Sequence, residues 1–229
     1  MRFLVLACLF LLGASAATAQ APRPAAPANW LAVIAKTPDG GTRIGNPDAK
    51  VKLVEYGSRT CPICGRFYAE GAAALKAYVA KGTVSWEFRD FPVHPQDVAV
   101  STLGMCVSTP NFFKVLDQMY VRQNEFNNRA MAIPQARWQQ LSKMPINQAN
   151  RALVDTLGYT AMLKQAGMTE ARIAACFNDR AALEAFGNRI KAGADRGVEG
   201  TPTFFMNGGL LSGFITWSQI EPVLKSAGA

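Results

Sequence analysis

Cys61 and Cys64, in the run Thr60-Cys61-Pro62-Ile63-Cys64-Gly65, are the residues of this chain whose type and spacing most directly suggest chemistry. Two thiols two residues apart can exchange electrons by opening and closing a disulfide, or can hold a soft metal ion together with further ligands. The pair follows an apolar run and begins a helical pattern, so Cys61 falls at a predicted helix start. There the first backbone N–H groups lack intrahelical partners and, with the helix dipole, favour a thiolate over a thiol. Pro62 costs nothing at the first helical position, where an N–H would be unpaired anyway. Of the other three cysteines, Cys8 lies in the apolar N-terminal stretch, Cys106 and Cys176 are remote, and no second C-x-x-C occurs. A redox role is therefore the better reading, and no metal is expected.

The elements that position this pair are legible on both sides of it. Val51 to Tyr56 alternates as a strand, with Val51, Leu53 and Glu55 on one side and Lys52, Val54 and Tyr56 on the other. Glu55 is anomalous at the end of an apolar strand: it lies either beneath the cysteines or at an ordinary charged edge. From Cys61 to about Ala80, the spacing of Phe67, Gly71, Ala74, Leu75 and Tyr78 predicts a helix with one apolar face. Thr83 to Arg89 alternates again as a strand. Strand, helix and strand make a right-handed βαβ unit that sets the cysteines above the carboxyl end of a sheet. A brief strand is also expected near Thr42 to Ile44, before the turn Gly45-Asn46-Pro47-Asp48.

No convincing strand occurs over the next hundred residues. Helical patterns are expected over Val98 to Val107, around Phe112 to Met119, and over Pro134 to Met144. Others cover Gln148 to Gln165 with a break near Gly158, Thr169 to Phe177, and Asp179 to Arg196. Phe112, Phe113 and Met119 read as core. His94, the one histidine, reads as a turn residue in Phe91-Pro92-Val93-His94-Pro95. After the helices, Gly200-Thr201-Pro202-Thr203 leads into Phe204-Phe205-Met206, an Asn207-Gly208-Gly209 turn and a returning strand. Trp217, Ile220 and Leu224 mark a final helix.

At 229 residues, 49% hydrophobic and 17% charged, the chain can bury a sizeable core. Its first 19 residues read as a secretory signal peptide: Arg2 is the positive start, Phe3 to Leu12 the apolar stretch, and Ala17-Thr18-Ala19 the cleavage signal. Cleavage would discard Cys8 and release a soluble protein into an oxidising compartment, where disulfides persist; without cleavage the apolar stretch would act as a membrane tether. Residues 20–41, rich in Pro and Ala at their start, are expected to be a flexible segment, with Trp30 to Ala35 read as a short helix or the start of the folded body. The net charge of +8 comes from scattered Lys and Arg, with no polybasic run, so nucleic-acid binding is not expected.

Taken together, the C-P-I-C centre, Glu55 upstream and Gly200-Thr201-Pro202-Thr203 before a strand and turn resemble a thioredoxin-fold protein. The helical insertion and export signal narrow the resemblance to DsbA-like periplasmic thiol–disulfide oxidoreductases, in the branch that carries a second cysteine pair. This resemblance, over about residues 42–227, implies an α/β fold: a thioredoxin-like domain with a central mixed sheet, divided into residues 42–96 and 197–229 by an inserted helical domain, 97–196. It implies that Cys61 is the exposed nucleophile, Cys64 the buried resolving thiol and Cys61–Cys64 the active disulfide. Glu55 becomes a buried acid able to relay protons. Pro202 becomes a cis-proline beside the disulfide, and Thr201 a backbone contact for an extended substrate. For Cys106 and Cys176, two buried free thiols or a structural disulfide are both compatible with the residues; the resemblance implies the disulfide. Pro62 and Ile63 would tune the redox strength. The best-known centre of the family has histidine where this chain has Ile63, and Ile can neither donate a hydrogen bond nor carry charge. A less strongly oxidising centre follows, unless a nearby group such as Arg59 compensates.

The expected function is a monomeric dithiol oxidase, without a cofactor, that introduces disulfides into reduced, unfolded secreted proteins in the periplasm and is reoxidised by a DsbB-like membrane partner. A periplasmic reductase or isomerase is the related alternative. A chaperone or protein-binding module stapled by its cysteines is the alternative of a different class.

Overall fold

The computed structural model of the chain describes residues 29–229. The signal peptide expected over residues 1–19, and residues 20–28 of the expected flexible segment, lie outside them.

Six strands form one sheet: β1 (Ile34–Lys36), β2 (Thr42–Gly45), β3 (Val51–Gly57), β4 (Val84–Asp90), β5 (Thr203–Met206) and β6 (Gly209–Leu211), in the order β1-β2-β4-β3-β5-β6. Only β3 and β4 pair in parallel, as the strands on either side of helix α1 (Pro62–Ala80) must; every other neighbouring pair is antiparallel. The sheet is therefore mixed. β4 is buried along almost its whole length because it has neighbours on both edges and helices on its face.

Residues 30–41, expected to be flexible, are built into this sheet. A short 3-10 turn, Trp30–Ala32, leads into β1, whose Ile34, Ala35 and Lys36 pair with Ile44, Arg43 and Thr42. The Pro- and Ala-rich composition that suggested a linker belongs to residues 20–29; the Leu-Ala-Val-Ile run that follows has side chains to bury, and Leu31 and Ile34 pack on the main core.

The strand faces divide as the alternation predicts. Val51 and Leu53 of β3 join Phe67, Leu75, Trp86, Phe204 and Ile220 in a core between the sheet and helices α1, α3 (Phe112–Val121) and α10 (Trp217–Ser226). Burying one Leu- or Phe-sized side chain in such a core is worth roughly 1.5–3 kcal/mol. Tyr56 turns to the opposite face, where it meets Phe91, Phe205 and Val198 beneath helix α9 (Arg180–Asp195).

Between β4 and β5 the described chain is helical throughout: α2 (Asp97–Met105), α3, α4 (Gln123–Met131), α5 (Gln135–Leu141), α6 (Ile146–Leu157), α7 (Tyr159–Gln165), α8 (Glu170–Asn178) and α9. Leu103, Met119, Phe126, Val154, Tyr159 and Ile173 form a second core of their own. The break near Gly158 is real: its φ of 91° closes α6 and opens α7. Helix α4 was not anticipated as a separate element, because its sequence is polar and only Gln123 and Phe126 are buried. Phe112, Phe113 and Met119 are core, each at most 2% exposed. Cys106 and Cys176 are joined by a disulfide with Cα atoms 5.9 Å apart, tying the end of α2 to α8.

At the far edge, Asn207 and Gly208 both take positive φ, 50° and 88°, as a two-residue hairpin between β5 and β6 requires. The Asn207 side chain accepts a hydrogen bond from Lys52 N at 2.8 Å, fixing the hairpin against β3.

Candidate redox site

Cys61 is the N-cap of α1, with extended backbone (φ −70°, ψ 120°) and Pro62 at the first helical position. It is 5% exposed; Cys64, one helical turn on, is fully buried, and both are free thiols. Ile63 between them is 39% exposed and offers an apolar surface beside the sulfur.

The two thiols are electrostatically unequal. The Cys64 thiol donates a hydrogen bond to Cys61 and brings the Cys61 pKa down to about 5; burial opposes this shift, while Thr201 and the backbone N–H groups of Cys64 and Ile63 reinforce it. Cys61 is consequently a thiolate at neutral pH. Cys64 is pushed well above the ordinary thiol range, first by burial and then by Cys61 and Glu55.

Thr201 closes the site from the other end of the chain. The Thr201–Pro202 peptide is cis, and Cys61 Sγ lies 3.3 Å from the Thr201 carbonyl oxygen, to which a thiol would donate. The Thr201 hydroxyl is buried and has no partner among protein groups, so it is a donor available to a thiolate. Pro202 is buried at the start of β5.

Glu55 lies in β3 opposite Phe88 and Phe204, fully buried, which resolves its two sequence readings in favour of an interior acid. Burial raises its pKa to about 8, against a hydrogen bond from Trp86 Nε1 to Oε2 (3.1 Å). Its other oxygen, Oε1, has no partner. Glu55 acts electrostatically on Cys64, so three titratable groups run from Cys61, which is nearly buried rather than the exposed nucleophile expected, through Cys64 to the interior acid.

Arg59 does not compensate for Ile63. It points away into the interior, 1% exposed, where Nε and Nη2 reach both oxygens of Asp90 at 2.6 and 3.0 Å and the guanidinium packs on Phe88 and Phe112. Its charge is taken by Asp90.

Several residues that the sequence pattern does not single out hold the loop before Cys61. Ser58 Oγ accepts from the backbone N–H groups of Thr60 and Cys61, both at 3.1 Å, and donates to Asp97 Oδ2 at 2.9 Å. Buried Asp97, at the start of α2, also accepts from Thr60 Oγ1 and from the N–H groups of Val93 and His94 (2.7 and 2.8 Å). Because the Thr60 hydroxyl gives its proton to Asp97, His94 Nδ1, 3.2 Å from Thr60 Oγ1, must be a donor. His94 thus belongs to the loop's support rather than to a simple turn. From α4, the Gln123 amide donates to the carbonyls of Arg59 and Cys61 (3.1 and 3.0 Å), and Asn127 donates to that of Thr60 (2.8 Å). Tyr120 Oη donates to the Ser58 carbonyl at 3.1 Å. The i, i+4 spacing of Gln123 and Asn127 on one helix face was the available signal; nothing in the sequence says what that face meets.

The sheet order, the cysteine pair at the start of α1 and the cis Thr201–Pro202 peptide define a thioredoxin-like protein. The sequence profile of the family described as Thioredoxin matches residues 37–226, and the chain belongs to that family. Among its relatives is a Rickettsia bellii protein named for an inferred protein-disulfide oxidoreductase activity, 26% identical over 168 residues, covering 72% of this chain and 56% of that protein. A Rickettsia conorii protein named in the same way is 26% identical over 176 residues, 76% of this chain and 55% of the relative. The chain thus spans just over half the length of these curated relatives. A crystal structure of a protein-disulfide isomerase from Novosphingobium aromaticivorans superposes with a TM-score of 0.76 at 26% identity, covering 82% of this chain and 97% of that one. Wolbachia pipientis alpha-DsbA1 shares the fold, with a TM-score of 0.61 at 17% identity over 82% of this chain and 90% of its own.

Proposed function

We propose that the chain is a thiol–disulfide oxidoreductase working as a dithiol oxidase on exported, incompletely folded proteins. The observation that carries this reading is the inequality of the two thiols: Cys61 held down to about 5, Cys64 raised by burial. A stabilised Cys61 thiolate is a good leaving group and makes the Cys61–Cys64 disulfide a better oxidant. In the oxidised protein a substrate thiolate attacks Cys61 Sγ, and the S–S bond breaks with its electron pair going to Cys64. Cys64, whose thiol form is favoured, takes up a proton, and Glu55, with a pKa near 8, is placed to deliver it. A second substrate thiolate then attacks the substrate sulfur of the mixed disulfide and expels Cys61 as thiolate. The substrate gains a disulfide and loses two electrons; the chain keeps them as a dithiol. Thr201, with its backbone beside Cys61, contacts the extended substrate next to Pro202. On this proposal a DsbB-like membrane partner reoxidises the chain and the reaction runs in the periplasm on a monomer, a location supported by the reading of residues 1–19 as an export leader.

Trapping tests this directly. Cys64→Ala should accumulate mixed disulfides through Cys61 with reduced exported proteins and with the reoxidising partner; absence of such adducts would overturn the assignment. Titration against glutathione should give a centre less oxidising than its Ile63→His variant, and an unchanged equilibrium would remove Ile63 from the account.

Isomerase activity is the second reading, favoured by the name of the Novosphingobium relative. Efficient reactivation of a scrambled, fully oxidised substrate would select it over oxidase.

A further inference from the structure

The redox site occupies the α1 face of the sheet. On the opposite face, between α9 and the loop before β2, lies a cavity of about 410 Å3 whose walls include Tyr56, Arg89, Met105, Phe186, Arg189 and Arg196. Three guanidinium groups and the carboxylates of Asp39 and Asp90 border it, but the charges are unevenly used. Arg89 donates to Glu87, Tyr56 and Asp39 at 2.6, 3.0 and 2.7 Å. Asp90 is taken by Arg59. Arg189 and Arg196 form no ion pair among the described residues.

Arg189 is half-buried, and its one hydrogen bond runs from Nη2 to the Met105 thioether sulfur at 3.2 Å, a weak acceptor for a group with five donors. Its guanidinium packs beside Phe186. Gly40 holds a φ of 83°, and a Cβ there would overlap the Arg189 side chain, so the loop lets Arg189 lie against it. Arg196 stands two helical turns further along the same face, over the ring of Phe205. On the far side of Arg189 a second hollow of about 380 Å3 adds Lys36 and Arg172, with Asp179 already capping the N–H of Ala182.

We propose that this cavity is a binding site for a small carboxylate with an apolar body, the carboxylate meeting the Arg189 fork and then Arg196, the body lodging against Tyr56, Met105 and Phe186. A planar carboxylate matches a guanidinium fork in two parallel hydrogen bonds and supplies the acceptors that Met105 sulfur cannot. Tyr56, Met105 and Phe186 give the remainder of the ligand an apolar wall to lie against. This site is independent of the redox chemistry assigned above.

Calorimetric or NMR titration of the whole protein at low ionic strength with three probes tests it: benzoate, benzamide and inorganic phosphate. Benzoate should bind saturably, at least about tenfold more tightly than benzamide, which keeps the ring and loses the charge, and more tightly than phosphate, which lacks the apolar body. Arg189→Gln should weaken benzoate about tenfold or more, Arg196→Gln less, and Arg189→Lys should recover part of the loss. An unshifted melting temperature and an unchanged Cys61 thiolate absorbance would establish that the variants are folded. No saturable benzoate binding, equal binding of benzamide or phosphate, or a full-strength Arg189→Gln variant would each overturn the proposal.

Discussion

The two cysteine pairs of this chain are made of the same atoms and sit in opposite circumstances. Cys61 and Cys64 are three residues apart on one helix start, surrounded by groups left deliberately unmatched: the Glu55 Oε1 atom and the Thr201 hydroxyl have no partner. Cys106 and Cys176 are 70 residues apart, join α2 to α8, and border the separate core of the helices. The first pair closes almost no loop, so its disulfide can do little to restrain the unfolded chain; the second closes a long one. What makes a cysteine pair reactive here is the surrounding donors and burial, and what makes it structural is the length of chain it ties.

The sharpest way to break this contrast is to remove each pair in turn. Cys61→Ser should abolish disulfide exchange with a reduced substrate, while Cys106→Ala combined with Cys176→Ala should keep exchange and lower unfolding free energy by about 2–4 kcal/mol, read from denaturant titration. If the double variant lost exchange at full stability, the second pair would have to be counted as reactive. Next in size is Asp97→Asn. It leaves at least one of four donors facing an amide instead of a carboxylate, and should cost about 2–3 kcal/mol, with slower Cys61 alkylation at neutral pH. A stability loss with an unaltered alkylation rate would confine Asp97 to the fold.

Glu55 gives a prediction with a sign. Its folded pKa, about 8, lies above the ordinary carboxylate value of 4.5, so the folded protein holds the proton more tightly than the unfolded chain. That contribution is complete below about pH 4.5 and is lost as pH rises through 8. Glu55→Gln should flatten the decline in stability across this window, by an amount on the order of a few kcal/mol at its alkaline end. Unfolding measured at pH 5 and pH 8.5 checks it; parallel declines in both proteins would show that another group titrates. Smallest is Gln123→Ala, which leaves two carbonyls of the nucleophile's loop short of a donor and should cost about 1–2 kcal/mol.

The reactive pair was readable because its signal is local. Cys61, Pro62 and the helix they begin lie in one short run, and the alternation of Val51 to Tyr56 correctly separated the Leu53 face from the Tyr56 face. For Glu55 the alternation gave the face but left an interior and an edge placement open, and the pairing of β3 between β4 and β5 puts it inside. The support of the loop was not readable: Asp97, Gln123 and Asn127 are ordinary polar residues in sequence, and their meaning lies in carbonyls and hydroxyls brought to them from 37 to 67 residues away by packing. Arg59 stayed open for a related reason. Nearness in sequence to Cys61 suggested a contribution to its charge, whereas Asp90, at the end of β4, turns it inward. Of residues 30–41, the short helical turn at Trp30 was legible as one reading, while strand β1 was masked by the composition of the stretch before it.

The contact between Cys61 and Thr201 spans 140 residues of chain. On a ribosome adding roughly 5–20 residues per second, Cys61 is made about 7–28 seconds before the residue that completes its surroundings. For that interval it lacks the Thr201 donor and relies on Cys64 and the first N–H groups of α1 to hold it ionised. The last donor of the redox site therefore arrives after Cys176 has been made and can meet Cys106, so the structural pair is complete in sequence before the reactive one has its full surroundings.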